Sequence, residues 1–175
     1  MRKLANKFTP KMESERRVGK VVALCISTKP GIPKYPVEGE VIVTPVGISG
    51  DFHSGPWRKT KIKSGERKEN DRQVSLVAKE VVDQLNQEFG ISIPIGGLAE
   101  NILVSGLGDL SDLKPQDKIE FSGGVILKVT RQNNPCNRLD IYHPELKKLI
   151  LSRRGVVAQV LQTGVLSSGE MVKIG

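Results

Sequence analysis

The chain is 175 residues long, 38% hydrophobic and 26% charged. These are the proportions of one globular domain able to bury roughly two thirds of its unfolded surface, which excludes a multidomain machine, wholesale disorder and a disulfide-built miniprotein. Lysine and arginine number 27 against 19 acids, a net charge of +8 that favours an anionic partner such as nucleic acid, a phosphate-bearing molecule or an acidic surface.

Residues 1–17 open with basic side chains but have no hydrophobic stretch behind them, so a solvated tail is expected ahead of a domain spanning 18–175. No apolar run approaches the ~18 residues of a membrane span. Residues 18–26 are apolar and β-branched, and 38–46 alternate until Pro45 and Gly47 interrupt them; both predict strands. A turn-rich tract from Gly47 to Gly55 follows, and residues 55–71 are the one linker-like stretch. After a strand over 73–76, Val77, Val81, Leu85 and Phe89 recur every fourth residue, predicting a helix with Ser75 as its cap and Gly90 as its stop. Strands over 101–104, 118–121 and 125–130 precede a shorter helix over about 144–152, where Arg153 and Arg154 suit the C-terminal dipole. Strands over 156–161 and 170–174 complete the chain. Short strands at regular spacing with two peripheral helices predict a mainly β (β-rich α+β), barrel-like fold.

The positive charge arrives in blocks. Residues 1–34 carry nine bases and two acids, 58–72 seven and three, and 131–175 seven and three, whereas 73–130 carry four bases and eight acids. A fold that gathered the basic blocks around one cleft would focus potential on a small anion. Trp57, Arg58, Lys59, Lys61, Lys63, Arg67, Lys68 and Arg72 also have the composition of a nucleic-acid-binding loop. Aromatics are nevertheless only 4% of the chain, and no helix-turn-helix, zinc-finger or RNA-recognition signature accompanies the loop. Neither a GxxxxGK[ST] loop nor GxGxxG is present, so ATP and dinucleotides lack support.

The two cysteines differ. Cys25 lies in the run Val21, Val22, Ala23, Leu24, Ile26 and packs as a small hydrophobe. Cys136 follows Asn133, Asn134 and Pro135 in a polar loop between Arg131 and Arg138, surroundings that favour a thiolate competent for attack, persulfide formation or soft-metal binding. Their scarcity suits a reducing cytoplasm. Asp51 and His53 have the chemistry of an acid/base pair or of metal ligands, though a lone Asp-x-His is a poor zinc signature.

The ordered pieces Gly47-x-x-Gly50-Asp51-x-His53-x-Gly55, Arg72-Gln73-Val74-Ser75-Leu76 with Glu80, Gly97-x-x-Glu100-Asn101-Ile102, Asn134-Pro135-Cys136-x-x-Leu139 and Arg154-Gly155, closed by Gly164 and Gly169, resemble a MOSC domain, the family named for the C-terminal domain of molybdenum cofactor sulfurases. The resemblance runs from about Val18 to Ile174. It implies that Cys136 is the working cysteine, either carrying sulfur as a persulfide or ligating molybdenum. It implies a molybdenum cofactor (molybdopterin) as partner, with Arg58, Arg72, Arg131 and Arg138 as candidates for its phosphate and Asp51, His53, Glu100, Asn101 and Asn134 as further cofactor-binding candidates. The turn before 118–121 reads Gln116-Asp117 and that before 171–174 reads Gly169-Glu170, where the family commonly has Gly-Asp.

Seventeen leading residues are too few for a pyridoxal-phosphate desulfurase domain, so sulfur or cofactor is expected from elsewhere: a sulfur-donor protein, or molybdopterin with an electron-donor protein. The extra N-terminal β-rich portion of the family's longer reductases is not expected here either, so the cofactor pocket is expected to be more open or to be completed by another subunit of a homo-oligomer. Two functions therefore stand side by side in the MOSC reading: molybdenum-dependent reduction of N-hydroxylated compounds, and sulfur transfer in cofactor maturation. A non-catalytic module for phosphate-bearing ligands or RNA is the alternative, with a phosphorylated pterin ranking ahead of nucleic acid.

Overall fold

The computed structural model describes residues 16–59 and 65–175. Lys61, Lys63 and all but the last two residues of the expected tail lie outside them. Strands β1 (Arg17–Ile26), β2 (Tyr35–Pro36), β3 (Glu40–Thr44), β4 (Gly47–Ile48) and β5 (Val74–Ala78) precede helix α1 (Lys79–Phe89). They are followed by β6 (Ile102–Ser105), β7 (Lys118–Phe121), β8 (Ile126–Gln132), a 3-10 turn (Asn137–Ile141) and the short helix α2 (Leu146–Leu149). The chain ends with β9 (Val156–Gln162), β10 (Gly164–Ser167) and β11 (Met171–Ile174). Arg17, placed by expectation in the tail, is the first residue of β1 and bonds Leu107 O at 2.7 Å.

Seven strands close into a barrel in the order β1-β11-β7-β8-β9-β5-β6, with β6 returning to β1. Closure pairs every edge, which is how a sheet this size avoids exposing unpaired backbone. All neighbours run antiparallel except β5 and β6, which are parallel and joined through α1. The interior is filled by alternate aliphatic side chains such as Leu24, Leu76, Ile119, Leu127, Val129 and Val172, all essentially without solvent contact. Each contributes about 1.5–3 kcal/mol by leaving water. Outside the barrel, β10-β3-β4 form a small second sheet. Among the described residues no helix is long and apolar enough to cross a membrane.

The fold is the mainly β barrel with two helices that the sequence predicts, and each of the eight expected strands is present. β2, β4 and β10 are additional; at two to four residues they are too short to show an alternating pattern. The helix expected from Val77 starts later. Val77 is a fully buried residue of β5, α1 begins at Lys79 after an extended Ala78 with no side-chain cap, and the Ser75 hydroxyl bonds Ala99 O and Asn101 Oδ1 instead. The misreading has a physical cause. A strand covered on both faces, here by the barrel interior and by α1, needs apolar residues at every position, so the run 74–78 continues the helical phase of Val81 and Leu85. Gly90, with φ of 60°, stops α1 as expected. The second helix is shorter than 144–152 and is preceded by the 3-10 turn that carries Leu139 into the core.

One charged pair lies inside the molecule. Lys34, 2% exposed, places Nζ 2.8 Å from both carboxylate oxygens of Asp51, which also accepts the backbone N–H of Ser27 at 3.1 Å and of His53 at 3.0 Å. Three donor groups, making four hydrogen bonds, thus tie the end of β1, the loop before β2 and the turn after β4 to one carboxylate. Burial resists the Asp51 charge, but the His53 ring 3.6 Å away, the Lys34 ammonium and the His53 N–H outweigh it and hold the carboxyl well below the usual range. A carboxyl depressed in the folded state stabilises the fold above its unfolded pKa of about 4, and that contribution is lost as pH falls towards the folded pKa.

Asp51→Asn is expected to cost about 3–5 kcal/mol, because it strands a buried ammonium, and to lower the urea midpoint at unchanged slope. The wild-type chain is expected to lose stability below about pH 4 by an increment that the variant lacks. Identical acid dependence of the two unfolding curves would contradict this role for Asp51.

Candidate functional site

A cleft of about 310 Å³ opens where the Cys136 loop meets the loop before β2 and the turn after β4. That is the lower end of the range for small-molecule sites. β8 delivers the cysteine. Its pairing with β9 shifts register between Val129 and Arg131, and Thr130 Oγ1 bonds Asp71 O at 2.6 Å and Val157 O at 3.0 Å. Beyond this bulge the strand runs out into Asn133 and Asn134, leaving Cys136 half-buried and extended immediately before the 3-10 turn.

Arg154 holds this loop in place. It is 5% exposed and donates from Nη1 to Asn134 O at 2.7 Å and from Nη2 to Leu98 O at 3.0 Å. Burial pushes its guanidinium pKa down, opposed by the neighbouring Cys136 and Glu100. Gly155 permits the placement: at φ of 75° a Cβ there would stand 1.9 Å from Leu76 O, a contact no side chain tolerates. The role expected for Arg153 and Arg154 together falls to Arg153 alone, whose Nη2 donates to Leu149 O at the end of α2.

The structure sorts the other expected site residues into two groups. Arg72, Arg138, His53 and Asn101 line the cleft with Cys136. Arg72 and Arg138 make no side-chain hydrogen bond or ion pair among the described residues, and burial, then Arg131 and Arg58, pushes the Arg72 guanidinium down. Arg138 lies beside Gly31, where a Cβ would stand 3.4 Å from its Nη1. Asn101 is committed to the fold through Oδ1 to Ser75 and Nδ2 to Cys25 O.

The second group does not line the cleft. Arg58 donates from Nε to Asp71 at 2.7 Å, with a second bond from Nη2, and Arg131 stands 3.8 Å from the same carboxylate. Asp51 serves Lys34. Glu100, fully buried, accepts the N–H groups of Gly96 at 2.6 Å and Leu98 at 3.0 Å; burial pushes its carboxyl up. Asn134 contributes its backbone oxygen to Arg154 rather than its side chain to the cleft.

Lys34, Ser75, Asn133 and Arg154 also line the cleft and were not singled out as site residues. For Arg154 the signal was its direct attachment to Gly155 in a turn. Asn133 Oδ1 and Arg154 Nε are buried without any hydrogen-bond partner, a costly condition that a bound ligand would relieve. No carboxylate lines the cleft. Among the described residues no three His, Cys, Asp or Glu side chains gather to hold a metal, and His53 is the other potential ligand of these types lining the cleft with Cys136.

The chain resembles known proteins over nearly its whole length. The MOSC domain family model matches residues 50–173. A Bacillus subtilis relative named "Putative metal-sulfur cluster biosynthesis proteins YuaD" is 30% identical over 145 residues, 73% of this chain and 76% of the relative. The crystal structure of the YuaD protein from Bacillus subtilis superposes with a TM-score of 0.80 at 25% identity, covering 91% of this chain and 97% of that one. YiiM from Geobacillus stearothermophilus shares the fold at a TM-score of 0.67 and 24% identity, over 90% of this chain and 75% of its own. With a family match over most of the barrel and the Cys136 loop, and a YuaD structure of the same architecture, this chain belongs to the MOSC domain family.

Proposed function

We propose that this protein carries sulfane sulfur on Cys136. The observation that supports the reading is the half-buried Cys136 sharing one cleft with three arginines, Arg72, Arg138 and the buried Arg154. Such cationic surroundings suit an anionic sulfur, whether a thiolate before transfer or a persulfide after it. The name borne by YuaD, with its reference to metal-sulfur cluster biosynthesis, agrees with a sulfur-handling role.

In the transfer, Cys136 Sγ attacks the outer sulfur of a donor persulfide, R–S–SH. A new S–S bond forms at Cys136, the donor's S–S bond breaks, and the donor sulfur leaves with the bonding pair and takes up the proton as R–SH. No external oxidant enters, since the donor thiol is reduced as Cys136 is oxidised. Delivery to the next acceptor repeats the exchange in reverse. Cys25 takes no part: burial, then Glu100, pushes its thiol up to about 12, with Lys34 opposing.

The cleft also supports a molybdenum-cofactor reading. Its unpaired arginines and orphaned Asn133 Oδ1 and Arg154 Nε fit the phosphate and polar edge of a pterin, and a lone thiolate fits a metal that arrives with most of its own ligands. Arg72 and Arg138 would hold the phosphate, Cys136 would hold the metal, and Arg154 would orient the cysteine loop. Bound there, the group would supply metal-centred removal of oxygen from N-hydroxylated compounds, with electrons from a separate donor protein.

Exposure to a small alkyl persulfide is expected to add the mass of one sulfur atom, removable by dithiothreitol, on the peptide containing Cys136, with none on Cys25 and none in Cys136→Ser. No sulfur gain on Cys136 would end the carrier reading. In chain purified from a host that makes molybdopterin, the cofactor reading expects stoichiometric molybdenum by elemental mass spectrometry and its loss in Cys136→Ser. Native alkylation is expected to label Cys136 and spare Cys25 until the chain is unfolded.

A further inference from the structure

Resting on the carrier reading, we infer that the sulfur donor is a small oxyanion of the thiosulfate class, whose leaving group is held by Arg72 and Arg138. The charge balance of the cleft leads there. Lys34 is neutralised by Asp51, and Asp71 is occupied by Arg58 and Arg131. Among the described residues Arg72, Arg138 and Arg154 are ion-paired to no carboxylate and no acidic side chain lines the cleft, Asp71 and Glu100 acting on Arg72 and Arg154 only from outside it. Three guanidinium groups without an ion pair around about 310 Å³ call for a ligand carrying more than one negative charge.

Phosphate would satisfy the charge but offers Cys136 no sulfur to take. A protein persulfide offers the sulfur, but its single thiolate leaving group would leave Arg72 and Arg138 unpaired. Thiosulfate meets both demands, because its sulfonate oxygens suit the forked donors of arginine and its outer sulfur is open to attack. Arg154 Nε, a donor without a partner on a residue at least nine-tenths buried, is an independent mark of a site completed by an accepting ligand.

In the step, Cys136 Sγ⁻ attacks the outer sulfur of S–SO₃²⁻. The S–S bond of thiosulfate breaks, sulfite leaves with the bonding pair, and Cys136–S–S⁻ remains. Three negative charges enter and three leave. Cys136 is oxidised to the disulfide level as the sulfonate sulfur is reduced to sulfite. The arginines act on the leaving group, where charge accumulates.

The test incubates the full chain separately with thiosulfate and with cysteamine persulfide, whose leaving group carries an ammonium. Sulfite release and sulfur gain on Cys136 are followed together. Thiosulfate is expected to release one sulfite per persulfide formed. The ratio of its rate to that of cysteamine persulfide is expected to fall about tenfold or more in Arg72→Gln and in Arg138→Gln, the loss of one charge-assisted bond, and to fall with added salt. Among the described residues neither arginine supports another group by a side-chain hydrogen bond, and matched thermal unfolding of the variants checks that the fold is kept. Loading by cysteamine persulfide without sulfite release from thiosulfate would overturn the donor assignment and leave the carrier reading standing. An unchanged ratio in both variants would also overturn it, and failure of both donors would end the carrier reading with it.

Discussion

Everything at the cleft is built on one buried carboxylate. Asp51 collects Lys34, Ser27 N and the backbone of His53, fixing the segment after β1 against the turn after β4. Those segments form one wall of the cleft and bring Gly31 beside Arg138. A buried ion pair adds little net stability compared with an apolar pair of similar size, while breaking one costs several kcal/mol. Its value here is positional: the short directional bonds of a carboxylate hold three irregular segments where no strand ladder reaches them. The same neutralisation keeps the Lys34 ammonium, itself a lining group, from competing for a ligand.

Charge in this protein is sorted by pairing rather than by position along the chain. Arg58 and Arg131 look equivalent to Arg72 in composition, yet Asp71 binds Arg58 directly and draws Arg131 to 3.8 Å, while Arg72 lines the cleft with Cys136. Arg154 differs again. Its Nη groups donate to the carbonyl oxygens of Asn134 and Leu98, so it acts as a brace for the cysteine loop. A brace of this kind keeps the reacting atom within a fraction of an ångström, the precision that transfer between two sulfurs demands.

The two thiols show how strongly surroundings govern one functional group. Cys25 sits in the barrel wall with no solvent contact, its carbonyl taken by Asn101 and its sulfur near the Glu100 region, which opposes ionisation. Cys136 lies beyond a bulge at the barrel rim, where strands end and backbone is free to turn. Barrel rims host chemistry for this reason: the closed strands supply rigidity, and the loops between them supply exposed side chains.

By itself the sequence determined the mainly β class, the eight main strands, the end of α1 at Gly90 and the difference between Cys25 and Cys136. Each depends on local information: alternation, glycine conformational freedom, or the polarity of a few neighbours. The ordered glycine and cysteine pieces carried the family as well. Only the tertiary structure decided which arginines face the cleft, that Lys34 belongs to the site, that Asp51 and Glu100 turn inward to hold backbone, and that Arg154 braces the cysteine loop. Most of those outcomes depend on partners distant in the chain, such as Lys34 with Asp51 and Leu98 with Arg154. Ion pairing and burial are set by the closure of the barrel, and closure joins segments whose own sequences carry no trace of one another.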